Sequence, residues 1–310
     1  MINKKKCLVL LATYQGGNWI GQQITSLAKQ LDDVDLHLLV SDDASTDNTL
    51  CIIREMAEQQ HISYEILTRE KSSGSSSANF ISLMKAADAS KFQYIFLCDQ
   101  DDIWLPGKMR AAIDALDVGD FQGYSCAVTA FWPNSQKKNL IQSDAITAAD
   151  YLFEGGGQGC TFAMTRQLFE LVQLFLRNHA DIAGNFKYHD WLIYMVARCI
   201  GYSWYFDARS WMYYRQHGGK VIGAKGKWAG AKSRILLIKS GWYRNEVYKA
   251  ICIAEEAGAR GGVCLKFKRL LLRRRSSTEN LYLAMLMIRH SRRKFAERIV
   301  LCIAAMLYWI

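Results

Sequence analysis

The 310-residue sequence has no CxxC pair, no Cys/His spacing suited to zinc, and neither common glycine-rich phosphate cradle. The first two absences exclude a structural zinc site. Without GxGxxG after the first apolar run there is no Rossmann dinucleotide site, and without GxxxxGK followed by Ser or Thr there is no P-loop. No apolar run approaches the roughly 20 residues that cross a bilayer. The run Cys7–Ala12, behind Lys4, Lys5 and Lys6, is shorter than the core of a secretory signal and reads as a strand. Helix-turn-helix, zinc-finger and RRM signatures are missing, and so are internal repeats. Nine cysteines make an odd set, and the apolar neighbours of Cys7, Cys98, Cys199 and Cys302 suggest buried, reduced thiols. A protein made and kept in a reducing cytoplasm is expected.

What is present suits a packed globular chain of two domains, or one domain with an appendage: half the residues are hydrophobic and 22% are charged. The net charge of +10 is unevenly spread. Residues 215–310 hold 21 basic and 5 acidic side chains, while residues 1–214 hold 18 and 24. A mildly acidic body thus carries a strongly basic tail. Such tails are solvated faces or seats for phosphate-rich partners.

CLVLLAT from Cys7, LHLLVS from Leu36, SYEIL from Ser63 and YIFLC from Tyr94 read as strands, most of them apolar on both faces. Amphipathic stretches at 19–31, 46–59 and 78–87 separate them, so βαβ units and a parallel sheet are predicted. Ser45-Thr46-Asp47 supplies caps for the second helix. Pro106 suits the first turn of a helix starting near Leu105, and the Ser/Gly run 72–77 reads as a flexible loop. Further on come a glycine-rich loop (154–159), a strand-like CTFAMT, two helices and a second glycine-rich stretch (217–226).

Ligands collect at the carboxyl ends of strands in a doubly wound sheet. Here those ends are Ala12-Thr13-Tyr14, Ser41-Asp42-Asp43 and Asp99-Gln100-Asp101-Asp102. Two like charges about 4 Å apart cost about 4 kcal/mol at an effective dielectric of 20. Three carboxylates in four residues therefore favour a bound divalent cation, Mg²⁺ or Mn²⁺, bridging to a diphosphate. The plainer reading has one Asp capping the next helix and the others facing water.

In order along the chain, LATYQGGNWIGQQITSLAKQ, VSDDASTDNT, FLCDQDDIWLPGKM, GCTFAMTRQLF and HDWLIYMVARCIG together resemble glycosyltransferase family 2. The resemblance runs from about Cys7 to Ala224. The closing YRQHGGKVIGA looks like the ending of bacterial rhamnosyltransferases in that family, with Gly219 or Lys220 where that subgroup often has Asn. It implies an α/β, GT-A fold: a Rossmann-like, mostly parallel sheet flanked by helices, followed by a basic helical extension. The implied catalytic domain is 1–222, with a nucleotide-sugar and metal half (1–131) and an acceptor half (132–222). Residues 223–310 form the extension.

The same resemblance assigns roles. Thr13, Tyr14 and Asp43 match positions that hold the base and ribose of a nucleotide-sugar. Asp99 and Asp101 are the DxD carboxylates, with Asp101 most directly on the cation. Asp190 matches the catalytic base that takes the acceptor hydroxyl's proton in an inverting displacement; on chemistry alone it is also a plausible N-cap. Arg215 would clamp phosphate oxygens and His217 would be a further metal ligand or diphosphate donor, unless both belong to a surface loop. Gly218, Gly219 and Gly223 would let that loop close over the donor. Gly155, Gly156, Gly157, Gly159 and His189 would line the acceptor side, and Trp104 and Trp191 would stack on sugar faces or belong to the core. The implied donor is dTDP-β-L-rhamnose, with a UDP-hexose as the alternative, and the acceptor a lipid-linked bacterial glycan.

KFKRLLLRRR from Lys266 and RHSRRKFAERIVLCIAAMLYWI from Arg289 mix cations with Leu, Phe, Ile and Trp309. Such helices lie on anionic membrane, which would place the enzyme on the inner face of the plasma membrane. The alternatives are a hairpin packed on the body or a homodimer contact. Nucleic acid is not expected as a partner, because Asp42, Asp43 and the DQDD run repel phosphates.

Overall fold

The computed structural model describes residues 4–184, 186–217, 236–259 and 262–310. The predicted apolar runs form the parallel part of one sheet: β1 (Lys5–Thr13), β2 (Val34–Asp42), β3 (Ser63–Thr68) and β4 (Tyr94–Asp99), in the order β3-β2-β1-β4. Leu8 to Leu11 and Ile95 to Cys98 are sealed from solvent. That burial explains why these strands lack polar alternation: helices cover both faces. The covering helices are α1 (Ile20–Ala28), α2 (Thr49–Gln59) and α3 (Ser76–Ala86). Thr13 is level with Asp42, and Ala12 with Asp99, so the three acidic strand ends finish side by side.

Beyond β4 the sheet turns antiparallel. β5 (Ile103–Trp104) and α4 (Lys108–Val118) come next in sequence, followed by β6 (Gly123–Phe131), β7 (Lys137–Leu140), β8 (Ala163–Thr165) and β9 (Trp204–Arg215). β8 pairs with both β4 and β6, β9 runs parallel to β6, and β7 joins the far end of β6. β5 leaves β4 after a short turn, yet it pairs with β9 at the other end of the order. The sheet must therefore curl, and the curl brings the DQDD turn against the end of β9.

Several local expectations are corrected. Pro106 precedes the helix instead of opening it, because Gly107, at φ +79°, is the N-cap of α4. CTFAMT divides into a 3-10 turn (Gly159–Thr161) and β8. The last two residues of the Ser/Gly run are helical, since the Ser75 hydroxyl caps α3 by accepting the Ala78 N–H. In the Ser45–Asp47 run only Asp47 helps α2, accepting the Thr49 N–H, whereas Ser45 turns back to Asp42. All nine cysteines are free thiols; Cys7 and Cys98 are buried, but Cys199 and Cys302 keep partial exposure.

The second half adds a 3-10 turn (Asp150–Leu152), α5 (Arg166–Asn178), α6 (Ala180–Gly184) and α7 (His189–Cys199). The C-terminal helices are α8 (Trp242–Glu256), α9 (Gly262–Leu271), α10 (Ser277–His290) and α11 (Phe295–Met306). Val247, Phe267, Leu283, Met287 and Leu301 share one apolar cluster with Leu8, Leu10, Phe80 and Leu192 of the body. Each such side chain contributes about 1.5–3 kcal/mol when fully buried, so the basic region is anchored through its core. The expected border at 222/223, with the second glycine-rich stretch beyond His217 and Gly218, Gly219 and Gly223, lies outside the described residues. Among the described residues no helix is long and apolar enough to cross a membrane.

Candidate active site

The ends of β1 and β2 are locked to each other before any ligand is considered. The Thr13 hydroxyl donates to Asp42 Oδ1 at 2.9 Å, and the Thr13 carbonyl accepts from the Asp43 amide. The Ser45 amide and hydroxyl fill the rest of Asp42 at 2.8 and 2.7 Å. Thr13 and Asp42 thus set the frame, with the Thr13 hydroxyl turned to protein. Asp43 is 3% exposed and held by the Ser72 hydroxyl, the Ser73 amide and Arg69. Tyr14, half exposed, stands at the mouth.

Each residue of the DQDD turn has its own task. The Gln100 amide accepts from the Tyr14 N–H and donates to the Tyr14 carbonyl, both at 2.8 Å, tying the turn to the end of β1. Asp102 accepts the Arg215 N–H at 3.1 Å. Asp101 Oδ2 meets His217 Nε2 at 2.7 Å, and Trp19 stacks on that imidazole with ring centroids 4.4 Å apart. The Arg215 guanidinium donates to the Asp101 carbonyl at 2.8 Å and to Gln22 Oε1 at 2.5 Å. It braces β9 against the turn with two of its five N–H donors.

On the other side of the cleft, α7 begins with His189 and Asp190. Asp190 Oδ1 accepts the Trp191 N–H at 2.7 Å. Burial pushes its carboxyl up to about 6 and the charge of Asp99 adds to this, against the pull of neighbouring backbone N–H groups. That shared electrostatic influence couples the two carboxylates. His189 stacks on Phe80 at 4.3 Å and stays neutral, since burial pushes it down to about 3.

The 3-10 turn Gly159–Thr161 joins the two sides. A Cβ at Gly159 would come within 2.6 Å of His189 Nε2 and 3.4 Å of the Asp190 Cβ, so only glycine lets the turn lie this close. The next residue, Cys160, has its sulfur within 4.8 Å of carboxylate oxygens of Asp99 and Asp102. One short turn therefore touches the candidate base and the acidic cluster at the end of β4.

The donors fit a hard divalent cation. Among the described residues, carboxylate oxygens of Asp99 and Asp102 lie within 4.8 Å of each other and of the Cys160 sulfur, while Asp101 in the same turn pairs with the His217 imidazole, and carboxylate oxygens suit Mg²⁺ and Mn²⁺. Cys160 is a soft ligand and adds little to that affinity.

Trp104 and Trp191 are both buried, as the core alternative expects. Trp104 is 1% exposed, with the Lys108 ammonium over its ring at 3.5 Å. Trp191 is 6% exposed and donates its indole N–H to the Tyr151 carbonyl at 2.7 Å. Sequence reasoning missed Trp19, Gln22, Gln100 and Cys160. Only Gln100, set between the aspartates, carried a signal in its position.

Comparison with known proteins agrees with this geometry. The family model described as "Glycosyl transferase family 2" matches residues 8–190. The dTDP-rhamnosyl transferase RfbG of Shigella flexneri is 34% identical over 287 residues, covering 90% of this chain and 99% of that one. Among solved structures, S. aureus TarS 1–349 with UDP-GlcNAc has a TM-score of 0.59 at 16% identity, covering 98% of this chain and 81% of TarS. The mannosyltransferase PcManGT of Pyrobaculum calidifontis, solved with GDP-Man and Mn²⁺, has a TM-score of 0.52 at 14% identity, covering 99% of this chain and 88% of that one. At these identities the likeness is one of fold, and that fold is GT-A.

Proposed function

Because this chain belongs to glycosyl transferase family 2, we propose that it transfers L-rhamnose from dTDP-β-L-rhamnose to a hydroxyl of a lipid-linked bacterial glycan, with inversion. Glycosyltransferase activity follows from family membership. The rhamnose donor is favoured by the near full-length similarity to a dTDP-rhamnosyl transferase. The observation that carries the mechanism is the turn Gly159–Thr161, which touches both Asp190 and the acidic cluster.

Tyr14 offers an exposed ring to the base at the end of β1, and Asp43 is held beside it by Ser72, Ser73 and Arg69. Asp99, Asp101 and His217 would hold the cation, which when bound supplies Lewis-acid stabilisation of the departing diphosphate. Asp190 accepts the proton of the acceptor hydroxyl while that oxygen attacks the anomeric carbon and the bond to the diphosphate breaks. One displacement inverts the centre, so no second carboxylate nucleophile is needed. A raised carboxyl makes Asp190 a stronger base once ionised. His189, neutral and packed against Gly159, would line the acceptor side.

The lipid-linked acceptor and a seat on the inner membrane face draw support from the C-terminal helices. Phe295, Ile299, Ile303 and Met306 recur along one side of α11, all exposed, and Leu281 and Met285 do so on α10. Basic side chains, among them Lys266, Arg269, Arg273, Arg274 and Arg289, are exposed on the same region. Exposed apolar side chains together with exposed cations suit an anionic bilayer surface.

A donor screen tests the reading: purified protein, Mg²⁺ or Mn²⁺, a panel of diphosphate-linked glycolipids, and nucleoside diphosphate release as readout. Release from dTDP-rhamnose with sugar transfer is expected. Transfer from a UDP-hexose instead would replace the donor, and no transfer from any nucleotide-sugar would overturn the proposal.

A further inference from the structure

Asp150 is fully buried just ahead of the glycine loop, and it carries more hydrogen bonds than a structural turn needs. It accepts from the Tyr194 hydroxyl at 2.6 Å, Arg198 Nη1 at 2.9 Å and Arg293 Nη1 at 3.2 Å. Tyr194 and Arg198 lie on α7, the helix that opens with His189 and Asp190. Arg293 comes from the turn between α10 and α11, more than a hundred residues beyond the stretch matched by the family model.

Arg293 is 3% exposed and binds the loop at three points. Besides Asp150, its Nη2 donates to the Gly155 carbonyl at 2.9 Å, and its own amide donates to Glu154 Oε1 at 2.5 Å. Its guanidinium also lies over the Phe206 ring at 4.5 Å. The loop it holds rests directly on α7: a Cβ at Gly155 would come within 3.0 Å of the Trp191 Cα, and the Trp191 indole is bonded to Tyr151. Most of these contacts lead within one further step to the helix bearing Asp190: Asp150 to Tyr194 and Arg198, and Gly155 to Trp191. A planar guanidinium reaches the carboxylate and the carbonyl from separate nitrogens in a fixed fork, whereas an ammonium is a point charge on a flexible stem.

We propose that Arg293 is a positioning residue: the C-terminal hairpin plugs it into the 150–155 loop, and that loop fixes Asp190 and Gly159 against the acidic cluster. The hairpin is then part of the transfer machinery as well as a surface for other contacts. The inference rests on Asp190 being the base, so both are tested together in the full-length protein.

Arg293→Met, Arg293→Lys, Asp190→Asn and wild type are compared for dTDP affinity by calorimetry and for kcat with saturating dTDP-rhamnose and the glycolipid that wild type uses best. Arg293→Met should bind dTDP within twofold of wild type while kcat falls at least tenfold. Arg293→Lys should recover part of the rate through its pairing with Asp150. A merely structural role would lower dTDP affinity and rate together, and that parallel loss overturns the proposal, as does a kcat within twofold of wild type. If Arg293→Met does not fold, Arg293→Lys decides: a threefold or larger drop in kcat with unchanged dTDP affinity supports the role, and a wild-type kcat refutes it. An active Asp190→Asn, or an inactive wild type, would instead sink the reading on which the inference rests.

Discussion

Replacing Asp190 by asparagine separates the charge of this side chain from its shape. Asparagine keeps an oxygen for the Trp191 N–H, bonded at 2.7 Å in the parent, but it cannot take a proton from an acceptor hydroxyl. Burial, with Asp99 adding to it, raises the carboxyl from 3.8 to about 6 in the folded chain. Between those values the folded protein binds more protons than the unfolded one, so stability falls as pH rises through that window and stays lower above it. A shift of about 2 units corresponds to at most about 3 kcal/mol, less because Asp190 retains some solvent access. Asp190→Asn should therefore melt roughly 2–6 °C above wild type at pH 8. The gap should close near pH 4. Transfer should fall by about 10²–10⁴, with dTDP affinity unchanged, and wild-type kcat should decline as pH falls through about 6. Differential scanning fluorimetry at both pH values and a coupled release assay read all of this. A variant that turns over near the wild-type rate refutes the role of Asp190 as base. A melting difference that is the same at pH 4 and pH 8 refutes the electrostatic argument.

Other expectations bear on separate parts of the site. His217→Ala should weaken Mn²⁺ binding in the presence of dTDP by about 10-fold or more, read by electron paramagnetic resonance; an unchanged affinity removes His217 from the ligand set. Gly159→Ala brings a methyl within 2.6 Å of His189 Nε2, an overlap worth about 1–3 kcal/mol, and should depress kcat more than dTDP affinity; equal losses would mean the turn has no special relation to the base. Phe295→Glu with Ile303→Glu, at two exposed positions of α11, should abolish flotation with phosphatidylglycerol vesicles in low salt while leaving kcat on a detergent-dispersed acceptor unchanged. Undiminished flotation would assign that face to something other than lipid.

The parallel core and the acidic strand ends were legible in the sequence because each depends on local signals. Strands sealed on both faces leave unbroken apolar runs, as at Cys7–Leu11 and Ile95–Cys98, and DQDD has few structural uses beyond holding charge. The capping expectations failed where a side chain had a better distant partner: Ser45 goes to Asp42, not to the helix that follows it. Trp104 and Trp191 illustrate a different limit. A tryptophan beside a motif reads the same whether it faces a sugar or the core, and burial alone decides, here in favour of the core.

The basic tail shows most clearly what composition hides. Its 21 cations read alike as a charge excess, yet those among the described residues separate by environment. Arg273, Arg274 and Arg289 are exposed, while Arg293 is buried against Asp150 and Glu154. A buried cation survives only if its partners are fixed, and those partners, some 140 residues upstream, had no visible link to it in the chain. The buried arginine also bears on how membrane binding can be tested. Deleting residues 266–310 to test lipid binding would also remove Arg293 and strip Leu283, Met287 and Leu301 from a cluster shared with the sheet. Loss of flotation in that deletion would report a broken body as readily as a missing membrane seat. Point charges on the outer face of α11 avoid this, because Phe295 and Ile303 touch solvent and lie outside that buried cluster.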